Sequence, residues 1–443
     1  MKAVKILLVI VVVLGLIVAG GLWYLTRFVQ SPEFKEQVLK ATRDATGTDV
    51  KVGTMKVSIF SGIDLDDVTI GNPAGFTGNL LTARSFALHY RLMPLLQKRV
   101  EVETLTLDTP VITLAKNDKG DWNYDKIGGE TKASTGKPAS GAPREKPSGG
   151  TGLDIAISRI EMKHASVVMM NGSGKELLRI TDVNFSSSVN LSGDKLTGNG
   201  KASIAEAVAA NSLFIRDVAT PVALTGGEVK LTPLTGKIAD GDLAGDAGLI
   251  GSKYSVNLKI KDADIVRLIQ EAGVSKRVFS SGKLQLTTAL TGTGGLETIV
   301  GDGKAEITGG QLVDVPLLTL MSTILQVTAL RDLKFDECLL EYIISNNVMQ
   351  TPVISLKSPQ VQITGKGHVA LDDYSLDHAL TLVLAKGALE KTPKEVRAIF
   401  TAREDGSYAI NFKVWGPYDH PKTDLDKIVL KGAAGQILQR FLK

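Results

Sequence analysis

The stretch GDGKAEITGGQLVDVPLL, residues 301–318, places four glycines and a lysine close together. Such a run is either a phosphate-binding loop or glycine-punctuated β-structure, and the choice decides the fold. The spacing argues against a nucleotide site. Glu306 stands where G-x-G-x-x-G needs its third glycine, and KAEITGG reads as a strand rather than as the start of a helix. The Walker pattern fails too, because neither GSGKE (172–176) nor STGKP (134–138) has Ser or Thr after its lysine. The glycines therefore read as turns. Gly301 and Gly303 would enter the strand KAEIT, and Gly309 and Gly310 would form a hairpin into QLVDV. Asp314 and Pro316 would then open an apolar helix.

Outward from this stretch the same punctuation recurs. Val256, Leu258 and Ile260 alternate with polar residues. So do Leu284, Leu286 and Leu290 (with Thr288 in phase), then Leu380, Leu382 and Leu384, then Ile410, Phe412 and Val414. Intervening positions are mostly Lys, Asn, Gln or Thr, the pattern of a sheet with one apolar and one polar face. Upstream, VGTMKVSIF sets Met55, Val57 and Ile59 in phase. VEVETLTLDTPVITLAK alternates with a phase change that suggests a bulge, and NDKGDWNYDKI reads as a turn closed by aromatics. Forty-five glycines with 5% aromatics agree with many short strands.

Helices are few. SPEFKEQVLKATRDATG has Ser31 as N-cap, Pro32 first and Gly47 as stop, and DADIVRLIQEAG has an Asp cap and a Gly stop. TPKEVRAIFTAR offers a capping box, Thr392 with Glu395, and Pro393 at the first helical position. The closing LDKIVLKGAAGQILQRFLK is amphipathic and basic, with Ile428, Val429, Ile437, Leu438, Phe441 and Leu442 apolar. It fits a plug at a sheet end or a membrane-surface helix. With roughly 20–25 strands at ~4.8 Å spacing, the sheet would extend about 100–120 Å. Such a sheet must curl or leave an apolar face open. The fold class expected is mainly β: an N-terminal transmembrane helix, then a long curled antiparallel sheet forming an open groove, with a few short helices. Candidate lipid-binding groove residues are Leu284, Leu286, Leu290, Leu380, Leu382, Leu384, Ile410, Phe412 and Val414. The alternative for them is an ordinary closed core.

The N-terminus adds a membrane to this picture. Residues 6–25 carry no charge, and 20 residues make about 30 Å of helix, the depth of a bilayer core. Trp23 and Tyr24 close the span, while Lys2 and Lys5 precede it, which keeps residues 1–5 cytoplasmic and exports the rest. The run exceeds the 7–15 apolar residues usual in a cleaved signal, so a retained anchor is expected. Residues 128–152 are low in complexity with almost no large apolar side chain, a linker composition. The expected organisation is a cytoplasmic start (1–5), an anchor (6–25), an N-terminal β-rich module (28–127), a linker (128–152) and a C-terminal β-groove domain (153–443).

Little chemistry is encoded. A net charge of +4 over 443 residues gives no basic surface for nucleic acid. Cys338 is the single cysteine, so no internal disulfide forms. His89, His164, His368, His378 and His420 are scattered without ligand spacing, and the acidic runs 64–67 and 371–377 lack a calcium-loop pattern. SSGK (280–283) matches Ser-x-x-Lys but has no companion motif, and Lys283 precedes a strand. No catalytic residue, metal or cofactor is expected, and the chain does not read as an enzyme.

In order along the chain these segments are distinctive. The anchor is followed by SPEFKEQVLKATRDATGTDVKVGTMKVSIFSGIDLDDVTIGNP, by VEVETLTLDTPVITLAKNDKGDWNYDKI, and after the linker by ISRIEMKHASVVMMNGSGKELLRITDVNF. LKIKDADIVRLIQ, the glycine-rich stretch and INFKVWGPYDHPKTDLD complete the series. The chain resembles the AsmA-like proteins of bacteria with two membranes. That resemblance implies a periplasmic protein anchored in the inner membrane, with roles in outer-membrane assembly and in targeting outer-membrane proteins. It also implies kinship with bridge-type lipid carriers, in which a curled sheet holds acyl chains in an apolar groove. The expected partners are phospholipid, the inner membrane and outer-membrane assembly factors. The expected function is phospholipid binding or transfer. The alternative is a scaffold near the assembly machinery that carries no lipid.

Overall fold

The computed structural model describes residues 31, 33, 36, 40, 43, 47–58, 62–91, 99–126, 154–192, 195–273, 278–390 and 392–431. The expected anchor (6–25), the linker (128–152) and Ile437, Leu438, Phe441 and Leu442 lie outside these residues. Among the described residues no helix is long and apolar enough to cross a membrane. Glu33, Glu36, Lys40 and Arg43 are helical. Gly47, at φ 70°, donates its N–H to Arg43 O at 2.8 Å, the expected stop.

The protein is mainly β, and its contacts divide it into two compact units after Asn211. The first carries β1 (Val50–Ser58), β2 (Gly62–Gly71), β3 (Asn79–Tyr90), β4 (Arg99–Asp108) and β5 (Val111–Ala115). It continues with β6 (Asp154–Ile157), β7 (Arg159–Met170), β8 (Glu176–Ser192) and β9 (Lys195–Ala209). β1, β2 and β3 pair antiparallel in sequence, β3 takes both β4 and β5, and β7, β8 and β9 are antiparallel. β4 and β5, however, pair parallel with β6 and β7. The sheet is therefore mixed, a correction to the wholly antiparallel one expected. A parallel pair needs a connection of about a dozen residues or more, and residues 127–153 supply it. The segments on either side of 128–152 accordingly share one sheet. The phase change in VEVETLTLDTPVITLAK is also not a bulge. Thr109, at φ 49°, and Pro110 end β4 and begin β5.

NDKGDWNYDKI closes as expected, and Asn123 explains why. Its side chain is wholly buried. Its Oδ1 accepts from Ala115 N at 3.0 Å, and its Nδ2 donates to Thr113 O at 2.7 Å and to Asn72 Oδ1 at 2.8 Å. Beside it the buried Trp122 stacks on Tyr124 under the Lys116 ammonium. Asn123→Leu would strand these partners, at about 1–3 kcal/mol for each unsatisfied group. A lowered urea midpoint, with the slope unchanged, is the expected measurement.

The second unit begins at Ser212, and β10 (Leu213–Thr225) contributes to both units. It continues through β11 (Glu228–Ile238), β12 (Gly241–Ile250), β13 (Lys253–Asp264), β14 (Phe279–Thr293), β15 (Val300–Val313), β16 (Asp332–Ser345) and β17 (Val348–Lys357). Then come β18 (Val361–Ala370), β19 (Ser375–Leu384), β20 (Thr401–Ala402), β21 (Tyr408–Pro417) and β22 (Lys422–Thr423). From β11 to β19 each strand pairs antiparallel with the next, and β21 joins β19.

Two kinds of connection alternate along this meander. At one edge lie the short turns that follow β12, β14, β16 and β18. At the other edge lie α1 (Ile265–Glu271), α2 (Pro316–Leu325), α3 (Lys386–Leu389) and α4 (Lys394–Arg397). Asp264 caps α1, accepting from Val266 N at 3.0 Å and Arg267 N at 3.1 Å, as its sequence indicates. The expected capping box at α4 is absent. Thr392 instead donates its hydroxyl back to Leu389 O at 2.7 Å, and Pro393 stands at the cap.

Helices gathered at one edge cover only that end of the sheet. Ile265 of α1 packs with Ile260, Leu284 and Leu243. Leu318, Met321 and Leu325 of α2, Leu389, Val396 and Leu425 pack with Leu382, Leu384, Ile410 and Phe412. Residues 425–431 are helical and lay Ile428 and Val429 on the same core, a plug at that edge. Leu382 is 0% exposed. Leu382→Ala should cost about 2–5 kcal/mol through lost transfer energy and a cavity, read as a fall in melting temperature.

Candidate functional site

Residues paired across antiparallel strands point to the same side of a sheet, so the register defines rows. The row nearest the helices runs Leu284, Ile307, Cys338, Leu356, Ile363, Leu382, Ile410. The row beyond it includes Ile260, Leu286, Ala305, Leu340 and Ile354. Further out a continuous row crosses eight strands: Ala247, Val256, Leu290, Gly301, Ile344, Met349, Val369, Leu376. Seven steps of ~4.8 Å make this row roughly 34 Å long. All eight residues are half-buried. Val256, Leu290, Ile344, Met349 and Val369 join neither core cluster among the described residues. Among the described residues the part of this row from Ala247 to Val369, on the turn-edge side of the helices, is uncovered, while Leu376 packs against the larger core.

The nine expected groove residues thus fall into two environments. Leu380, Leu382, Leu384, Ile410, Phe412 and Val414 are buried under α2, α3, α4 and the terminal helix, and Leu284 is buried beside α1. These seven are core side chains. Leu286 is half-buried at the margin of the α1 core, and Leu290 lies in the uncovered row. Ile344, Met349, Val369 and Leu376 escaped the sequence reading. In DECLLEYIIS both faces of β16 carry aliphatic residues, which hides the parity. A bulge in β17, where the register jumps from Glu341/Val353 to Ile343/Gln350, resets the phase downstream.

The glycine-rich stretch is not turns but one strand, β15, running through all four glycines. Gly309, at φ 60°, is its extra residue, where the β14 register shifts. Gly303 and Gly310 lie on the apolar face as seats for rings from β16. A Cβ at Gly303 would stand 2.4 Å from the Tyr342 ring, and one at Gly310 would stand 2.0 Å from Phe335. Gly292 seats Tyr254 in the same way, at 2.2 Å from its hydroxyl. Each pair is a direct cross-strand partner. Gly310→Ala should therefore destabilise by about 1–3 kcal/mol through overpacking. Gly387→Ala, where a Cβ meets nothing within 4 Å in α3, should be neutral or slightly stabilising. Paired thermal melts check the contrast.

The opposite face is polar. Lys259, Thr287, Lys304 and Glu341 form one row, with Asp246, Asn257, Ala289, Asp302 and Ile343 beside it. These residues, with Leu258, Gly301, Tyr342 and Ile344 of the apolar-face rows, line a depression of about 1090 Å³. Its charges are of both signs, so it favours neither an anion nor a cation.

The remaining reactive side chains are engaged by the fold. Lys283 of SSGK donates to Asp264 Oδ2 at 3.3 Å, the α1 cap. Burial raises the Asp264 pKa, but the hydrogen bonds from Arg267 N, Lys283 and Val266 N outweigh it and hold the carboxyl below its usual range. The Ser280 hydroxyl is buried without a hydrogen-bond partner among the described residues. Burial, with Glu337 adding, pushes the Cys338 thiol up to about 11, the state of an inert core thiol. His378 is buried and shares a 3.0 Å hydrogen bond with Thr351, while His164 pairs with Asp182 and His420 with Asp419. Among the described residues no three metal-ligating groups converge.

A long one-faced sheet with helices at a single edge defines a class of β-rich proteins with an uncovered apolar row. The AsmA family model matches residues 1–207, and over that stretch the chain is AsmA-like. The match ends before the strands that carry the uncovered row. No curated protein and no solved structure matches.

Proposed function

We propose that the chain is an inner-membrane-anchored periplasmic protein of outer-membrane biogenesis that binds or transfers phospholipid along its apolar row. The observation that carries this reading is the continuous row from Ala247 to Leu376, left uncovered among the described residues as far as Val369. AsmA-likeness over residues 1–207 supports it.

The energetics set the requirement. Exposing two tails of ~30 methylenes to water costs more than 20 kcal/mol at about 0.8 kcal/mol per methylene. A row of roughly 34 Å exceeds the ~15 Å of one leaflet's tails, half of a ~30 Å bilayer core. It accepts extended tails laid across the strands while the head group stays in water. Apolar burial alone supplies the binding, and no bond is made or broken in this reading.

The test is native mass spectrometry of the full-length protein released from membranes in mild detergent. Co-purifying phospholipid is expected. The double substitution Leu290→Glu with Ile344→Glu should abolish it and leave the far-ultraviolet circular dichroism unchanged. A folded double variant that keeps its lipid, or a wild type without lipid but with a stable protein partner, would overturn the proposal in favour of a scaffold.

A further inference from the structure

Beside the uncovered row, one polar side chain stands apart. Tyr342 lies on the apolar face of β16, paired with Gly303, and its phenol rests over that glycine, 2.4 Å from where a Cβ would be. On its other side the β17 bulge leaves Tyr342 without a register partner, since Thr351 and Pro352 both fall opposite it. Its neighbours along β16 on this face are Leu340 and Ile344, both aliphatic.

Other polar groups on this face are satisfied by the protein. The Tyr254 hydroxyl donates to Gly295 O at 3.2 Å, Thr288 donates to Asp302 O at 3.0 Å, and Thr351 bonds His378 at 3.0 Å. The Tyr342 hydroxyl has no hydrogen-bond partner among the described residues and is not among the buried polar atoms, so it is reachable from outside. A phenol in apolar surroundings gains most from an acceptor brought by the ligand itself. That acceptor should be uncharged, because Lys259 and Lys304, which could answer a phosphate, project from the opposite face.

We infer that Tyr342 is the polar anchor of the row, donating its hydroxyl to the carbonyl oxygen of an acyl ester and so fixing where along the sheet the ester end of a lipid comes to rest. This rests on the lipid-binding reading of the row. It adds the ligand's functional group and its position, between β15 and β16.

The test compares dipalmitoyl phosphatidylethanolamine with its dihexadecyl ether analogue, which lacks both ester carbonyls. Binding to the full-length protein in detergent is measured by competition in native mass spectra. The wild type should prefer the ester by about two- to tenfold, the worth of one neutral hydrogen bond. Tyr342→Phe should erase that preference, with the ether lipid bound as before and the melting temperature unchanged. Tyr254→Phe, whose hydroxyl is already engaged by Gly295, should keep it. Equal preference in wild type and Tyr342→Phe, or none in wild type while both lipids bind, would overturn the anchor and leave the lipid reading standing. A wild type that binds neither lipid would overturn both.

Discussion

Two-residue periodicity, held in register across antiparallel ladders, is the constraint on which the second unit depends. Because partners share a face, a single phase error in one strand would move its aliphatic side chains into water. The register from β12 to β19 avoids this by absorbing irregularities in bulges, at Gly309 in β15 and at Thr351–Pro352 in β17. The outcome is one face that is apolar over eight strands. Proline suits the β17 site, since a bulge leaves a residue outside the ladder that needs no amide hydrogen.

What happens to that face is decided by the connections. Among the described residues every α-helix interrupting the meander enters at the same edge, because α1, α2 and the α3–α4 pair all follow odd-numbered strands. Their apolar sides have only one place to go, the adjoining end of the face. Leu382 and Leu384 are then fully buried, while Ile344 and Val369, farther along the same face, remain half-buried. Core and exposed row are thus two ends of one surface.

Much of this was legible in the sequence. Alternation in KYSVNLKI, KLQLTTAL and HALTLVL gave the strands and their apolar side, and Asp264 and Gly47 marked helix ends by their capping chemistry. Burial was not legible, because alternation tells which face a residue occupies but not whether a helix lies over it. That is why Leu382 and Val414 resembled Leu290. Glycines misled for a related reason. Gly303 and Gly310 are set by Tyr342 and Phe335, 39 and 25 residues further on, and no local rule relates the two. The parallel pairing of β4 and β5 with β6 and β7 was hidden because periodicity carries no strand direction.

The far side of β21 carries a consequence for assembly. Its ladder there is taken at one end by β20 and at the other by β22, and between them Asp424 bonds Lys413 through both its side chain and its main chain. Among the described residues Ile410–Phe412 and Gly416–Pro417 are left without a ladder partner on that side, each too short a template for a visiting strand. The meander is therefore terminated rather than merely stopped. An edge occupied in this way offers little main chain for the edge-to-edge pairing by which sheets grow from one molecule into the next.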